Sequence, residues 1–356
     1  MSDGVHRAGL LGAVLTAVAA GVAAGVAIEN RAVGRVRSRP DPEAREPFGA
    51  LHTAGRTVLA DDGVPLHVEI DGDPDAELTI VFVHGFTLSM DCWHYQRRDL
   101  GGHDRAAGPP AGRLVFYDQR SHGSSGRGPK EHATIDQLGR DLHRVLDAVA
   151  PRGPVVLVGH SMGGMTIMAL ADAHPELFGE RVAGVALIST SPGLRGEALL
   201  GLPTLVGKVV DPVAPHLVAS MQRRAALVER GRRASSDLAF LLTRHYGFGD
   251  NPPPSLVAFL ERMLARMPFD TMGDFFATFA DHDKLACLPV LSGVPTLVLV
   301  GERDLLTPAE HSRLIAREAP GAELVVLAGA GHMVILERPG LVNLHLRALL
   351  RRATAK

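Results

Sequence analysis

Between Pro154 and Gly164 the chain reads Pro-Val-Val-Leu-Val-Gly-His-Ser-Met-Gly-Gly, and this stretch limits what the rest can be. Val155 to Val158 is an unbroken apolar, valine-rich run of the kind that forms a strand buried on both faces. Residues 165–173 favour helix, so Gly159-His160-Ser161-Met162-Gly163 spans a strand-to-helix turn. So sharp a turn leaves no room for a side chain at 159 or 163, and its strain lifts the hydroxyl of Ser161 clear of the sheet. Ser161 is therefore the candidate nucleophile.

The remaining pattern builds a sheet around that strand. Residues 56–60 and 66–70 flank Asp61-Asp62-Gly63 as a hairpin, and residues 78–83, 113–117 and 182–189 are further strand-like runs, with a helical pattern at 135–149. Strand pattern resumes at 296–300 and 323–327, with helices at 310–319 and 341–351. Residues 192–289 hold only helical stretches, at 217–232, 236–245, 255–266 and 269–279. These runs give an α/β fold with an eight-stranded, mostly parallel sheet, opened by an antiparallel hairpin and covered by helices. The core is expected over residues 55–191 and 290–356, with residues 192–289 forming a helical lid after the sixth strand. Such a lid lies over the carboxyl edge of the sheet, where ligands bind in open α/β folds.

Composition narrows the function classes. A chain of 356 residues that is 46% hydrophobic can bury a large core, and 37 basic against 39 acidic residues leave no basic surface for nucleic acid. The cysteines, Cys92 and Cys287, are too few for a disulfide framework. The 17 histidines lie outside any metal-ligand spacing, so no metal is called for.

Residues 8–28 carry no charge and match the length of a membrane span, while Arg31, Arg35, Arg37 and Arg39 follow against Glu29. Residues 1–30 therefore read as an N-terminal hydrophobic helix that anchors the chain, with the positive flank holding the downstream domain in the cytoplasm. The alternative is a signal peptide cleaved near Ala23 to Ala27 with secretion of the domain, against which the weak amino-terminal charge of Asp3 and Arg7 counts. Residues 31–54, rich in Pro, Arg and Glu, read as a linker.

A serine hydroxyl needs a histidine to take its proton and a carboxylate to orient that histidine, in the chain order serine, acid, histidine on this architecture. Asp304 follows the seventh strand in Gly301-Glu302-Arg303-Asp304, and His332 follows the eighth in Gly329-Ala330-Gly331-His332. Asp304 is preferred to Glu302, which falls beside the strand end. The backbone N–H groups of Met162 and of Phe86, after His84-Gly85, are the candidate oxyanion donors.

Together with Asp118-Gln119-Arg120-Ser121-His122-Gly123-Ser124-Ser125, these motifs resemble the α/β-hydrolase superfamily in its lid-bearing, esterase- and lipase-like serine branch, over residues 56–351. The resemblance implies cofactor-free cleavage of a carboxylic ester, lipid-like or small, through an acyl-enzyme on Ser161. Thioester or carbon–carbon bond hydrolysis, acyl transfer, or a non-catalytic binding role are its alternatives. Ser121 stands where that family commonly has glycine.

The lid methionines and Met162, Met165 and Met168 read first as core filler and second as an acyl pocket containing Met165. Trp93 is open to two placements, lining the entrance to the substrate site or anchoring a buried helix. Asp281-His282-Asp283 reads as a solvated acidic turn.

Overall fold

The computed structural model describes residue 34, residues 38–193 and residues 239–355. β1 (Gly55–Leu59) and β2 (Pro65–Gly72) form the antiparallel hairpin around Gly63, whose φ of 85° suits glycine. Then come β3 (Thr79–Val83), β4 (Arg113–Tyr117), β5 (Val155–His160), β6 (Val182–Ile188), β7 (Thr296–Gly301) and β8 (Glu323–Leu327). The sheet order is β1-β2-β4-β3-β5-β6-β7-β8. β2 lies antiparallel to β4, and every pairing from β4 through β8 is parallel.

Helices cover both faces: α1 (His94–Leu100), α2 (Ile135–Val149), α3 (Met162–Ala173), α4 (Pro254–Leu264), α5 (Phe269–Asp281), α6 (Ala309–Glu318) and α7 (Pro339–Thr354). Strand alternation divides the core between them. On β5, Val155 and Leu157 face Leu138, Leu142 and Ile167 of α2 and α3, while Val156 and Val158 join Leu100, Leu346 and Leu349 of α1 and α7. Every residue of β5 is buried, which is why the central strand reads as one apolar run. Arg120, fully buried, ties three elements together: it pairs with Asp141 of α2 at 2.6 Å and with Asp62 of the hairpin turn at 2.8 Å.

Two expectations differ from what forms. The segment read as a linker lies, from residue 38 onward, against the domain. The Glu46 carboxylate accepts from His94 at 2.8 Å and from Arg98 at 3.0 Å, Asp41 accepts from the Ser255 N–H and hydroxyl at 2.8 Å, and Phe48 stacks on Phe259 at 4.8 Å. Its charges are thus partners for α1 and α4, a long-range pairing that a local reading takes for solvation. Within Asp281-His282-Asp283, His282 is buried and bonded to the Ser191 carbonyl at 3.0 Å, so only the flanking acids are exposed.

Among the described residues no helix is long and apolar enough to cross a membrane. The hydrophobic run at 8–28 and the helical stretch expected at 217–232 lie outside the described residues. Of the inserted segment, residues 239–247, α4 and α5 are helical as the pattern indicates.

Candidate active site

The turn after β5 is as strained as the glycine spacing requires. Ser161 has φ 55° and ψ −121°, a conformation that L-residues avoid and that functional sites retain. A Cβ on Gly159 would sit 2.5 Å from the Gly163 carbonyl oxygen, and one on Gly163 would sit 2.0 Å from that of Val83. Backbone surrounds both positions. Ser161 N–H donates to Ile188 O at 2.9 Å, and the Thr190 hydroxyl donates to Ser161 O at 2.7 Å, so β6 fixes the elbow from one side.

From the other side comes the loop after β3. A Cβ on Gly85 would lie 3.1 Å from Ser161 Cβ, so this backbone touches the serine. Fully buried His84 sets the loop: its Nδ1–H donates to Gly85 O at 2.8 Å, while Nε2 accepts from Gln119 N at 3.0 Å. Burial pushes this imidazole down to about 4, against a smaller lift from the Gly85 carbonyl, and the neutral tautomer follows. Gln119 also donates to His84 O at 2.6 Å and accepts from the Thr166 hydroxyl of α3 at 2.8 Å. The Phe86 loop and the first turn of α3, with Met162 at its head, are therefore locked together beside Ser161. Met162 is the first residue of α3, and helix-start N–H groups have no intrahelical acceptors, which makes this end of α3 the place where an anion would be met.

Asp304 and His332 meet as their strand ends suggest. His332 Nδ1 lies 2.9 Å from Asp304 Oδ2 and 3.1 Å from Oδ1, with both residues buried. Asp304 Oδ1 also accepts from the N–H groups of Leu306 at 2.9 Å and Thr307 at 2.8 Å, and Oδ2 accepts from the Thr307 hydroxyl at 2.9 Å. Burial raises this carboxyl, but His332, the Thr307 N–H and the Thr307 hydroxyl outweigh it and leave the acid below its ordinary range. The carboxylate is thus held ionised, and it fixes the proton of His332 on Nδ1 with Nε2 as acceptor. Glu302 is turned away, accepting from Gly329 N at 3.0 Å.

His160 joins the two halves. Its Nε2–H donates to the His332 carbonyl at 2.9 Å, and the two rings lie 4.9 Å apart. The residue beside the serine thus carries the histidine loop. Neither this role of His160 nor Thr307 is evident from the local sequence; for Thr307 the acid-to-threonine spacing of three, an Asx-type turn, is the available signal.

Trp93 is corrected to the second of its two placements. It is fully buried, 5.2 Å from the Phe82 ring and 6.3 Å from that of His160, and forms part of the floor under the elbow. Met165, 6% exposed, lies in the core cluster that includes Phe275 and Phe279. Those two rings of α5 approach Phe86 to 6.3 and 5.2 Å, so an apolar, aromatic wall stands over the loop that adjoins Ser161. Burial raises the thiol of Cys92 well above its ordinary range, which leaves it unreactive as a nucleophile. Ser121 takes φ 64°, the left-handed conformation for which glycine is the usual residue. A cavity of about 610 Å³ opens on the outer flank of the loop, walled by Glu69, Asp91, Asp118, Arg127 and Met267. Its lining mixes polar groups with Leu88, Met90, Met263 and Met267, and Ser161 is not part of it.

A sheet of this order, with a strained serine after β5, an acid after β7 and a histidine after β8, defines an α/β hydrolase. The alpha/beta hydrolase family matches residues 80–343, and the chain belongs to it. It is similar to an sn-1-specific diacylglycerol lipase from Mus musculus, 31% identical over 280 residues that cover 75% of this chain and 79% of the lipase. It is also similar to an esterase from Oryza sativa subsp. japonica, 27% identical over 73% of this chain and 90% of the esterase. Among solved structures, a thermophilic esterase from Thermogutta terrifontis superposes with a TM-score of 0.63 at 25% identity, covering 85% of this chain and 99% of that one.

Proposed function

We propose that the chain is a serine esterase that cleaves carboxylic esters with a hydrophobic acyl group. The observation that carries this reading is the Asp304–His332 pair, docked through the His160 bond onto the strained Ser161 turn. In this reading His332 Nε2 takes the proton of Ser161 Oγ as the oxygen attacks the ester carbonyl. The amides of Phe86 and Met162 receive the oxyanion, and ionised Asp304 stabilises the imidazolium. His332 then protonates the leaving alcohol, and a water molecule, deprotonated by the same nitrogen, hydrolyses the acyl-enzyme. The wall of Phe86, Phe275 and Phe279, with Met165 behind it, supports an apolar acyl or aryl substituent. The esterase and lipase names of the relatives point the same way.

The test is hydrolysis of p-nitrophenyl esters from acetyl to palmitoyl by the full chain beside Ser161→Ala. Turnover that depends on Ser161 and peaks at one chain length supports the reading and sizes the pocket. If the folded wild type cleaves none of them, the ester assignment fails, and thioesters or ketone-activated carbon–carbon bonds take its place. For the amino-terminal run at 8–28 the proposed role is a membrane anchor with a cytoplasmic domain; recovery of the intact chain in the soluble fraction would overturn it.

A further inference from the structure

Glu337 is a carboxylate that the proposed chemistry does not use. It follows the histidine loop and is half-buried. Its Oε1 accepts from Gly331 N at 2.6 Å, one residue before His332, and its Oε2 accepts from Gly249 N at 2.9 Å, where the insertion turns back after residues 239–247. One side chain therefore bridges two backbone segments that lie about eighty residues apart in sequence. Two further bonds run alongside: Met333 N to Gly247 O at 2.7 Å and Asp250 N to Gly329 O at 2.9 Å. Glycine makes this close approach possible. A Cβ on Gly249 would stand 2.1 Å from Gly329 O, and one on Gly331 would stand 2.4 Å from the Phe248 carbonyl carbon.

We infer that Glu337 is a positioning residue, which clamps the returning segment of the insertion to the loop that carries His332 and so fixes where the imidazole sits relative to the Ser161 turn. The inference rests on the serine-esterase reading. A neutral amide in place of the carboxylate offers one acceptor for two N–H donors and turns an NH₂ group against the other. The clamp then opens on one side. Because an N–H bond to a carboxylate is stronger than one to a neutral group, both segments loosen together. Misplacing a reacting group by about an ångström costs on the order of a hundred-fold in rate, so a partial loosening of the His332 loop is expected to show in kcat rather than in KM.

The experiment compares wild type with Glu337→Gln, which keeps reach and volume, and Glu337→Asp, which keeps charge but is too short to span both donors. Readouts are steady-state ester kinetics and hydrogen exchange of the peptides covering 247–250 and 329–333. Expected for Gln is a drop in kcat of about ten- to a hundred-fold with KM within about two-fold, and exchange about ten-fold faster in both peptides. Asp is expected to fall at least as far. A Gln variant with kcat within two-fold of wild type, or with only one peptide exchanging faster, overturns the clamp and leaves the esterase reading intact. Conversely, a wild type inert toward all esters, with both peptides still released in Gln, sinks the esterase reading while the bridge itself stands.

Discussion

Replacing Asp304 by Asn tests how the acid serves the histidine. Asp304 Oδ1 faces two backbone donors, Leu306 N and Thr307 N, and Oδ2 faces His332 Nδ1 and the Thr307 hydroxyl. An Asn can place its oxygen on one side only. Oxygen toward His332 would turn the NH₂ against two backbone N–H groups, at about 1–3 kcal/mol for each buried donor left unpaired. Oxygen toward the backbone keeps both, and the threonine hydroxyl can rotate to accept from the NH₂. His332 Nδ1 must then accept too, which moves its proton to Nε2, the atom that has to receive the serine proton. The second arrangement costs less and is the one expected to form. The fold should therefore lose only about 1–2 kcal/mol, a shift of a few degrees in Tm for a domain of this size, while kcat falls about 10³- to 10⁴-fold, or some 4–5.5 kcal/mol of barrier. The assay is p-nitrophenyl ester turnover with Ser161→Ala as the floor, together with nitrogen NMR of the imidazole to read the tautomer. Retention of more than a tenth of wild-type kcat, or an unchanged tautomer, would refute the argument.

Other outcomes follow from the same geometry. Burial, as the largest cause, holds His84 down to about 4 and His122 and His160 down to about 3, so all three stay neutral in the fold while the unfolded chain protonates them below about pH 6.5. Stability should therefore fall as pH falls, by up to about 4 kcal/mol per pH unit between roughly pH 6 and 4; a Tm that stays flat from pH 7 to 5 would contradict this. Depressed Asp304 adds its own loss only at still lower pH, as it protonates. Gly163→Ala drives a Cβ to 2.0 Å from Val83 O and should cost more than about 3 kcal/mol or prevent folding, as soluble yield and thermal melting will show. Trp93→Phe should cost about 1–2 kcal/mol and leave the KM for esters unchanged, because the ring is core and not pocket.

Much of this was legible because it is local. β4, β8 and α2 coincide with their apolar runs, and the Gly-x-Ser-x-Gly spacing forces the strained φ at Ser161. Asp304 and His332 could be placed because strand ends on a parallel sheet converge on one edge. What escaped was non-local pairing. Glu43 and Glu46 look solvated in sequence, yet they meet Tyr95 and His94 across some fifty positions. Trp93 gave no sign of whether its ring turned inward, since aromatic residues serve entrances and cores alike. Thr307 and Glu337 escaped for another reason: each acts on a neighbour of the reacting groups and carries no chemistry of its own.

The seam between Gly247–Asp250 and the histidine loop also bears on how such an enzyme can be rebuilt. An insertion exchanged as a whole between the end of β6 and the start of β7 would carry away Gly249, a position where any side chain collides with the backbone at 329–331. A chimera cut instead just before residue 247 would keep the recipient's own seam. The insertion before that cut would then be free to vary in length and polarity without disturbing the loop that carries His332.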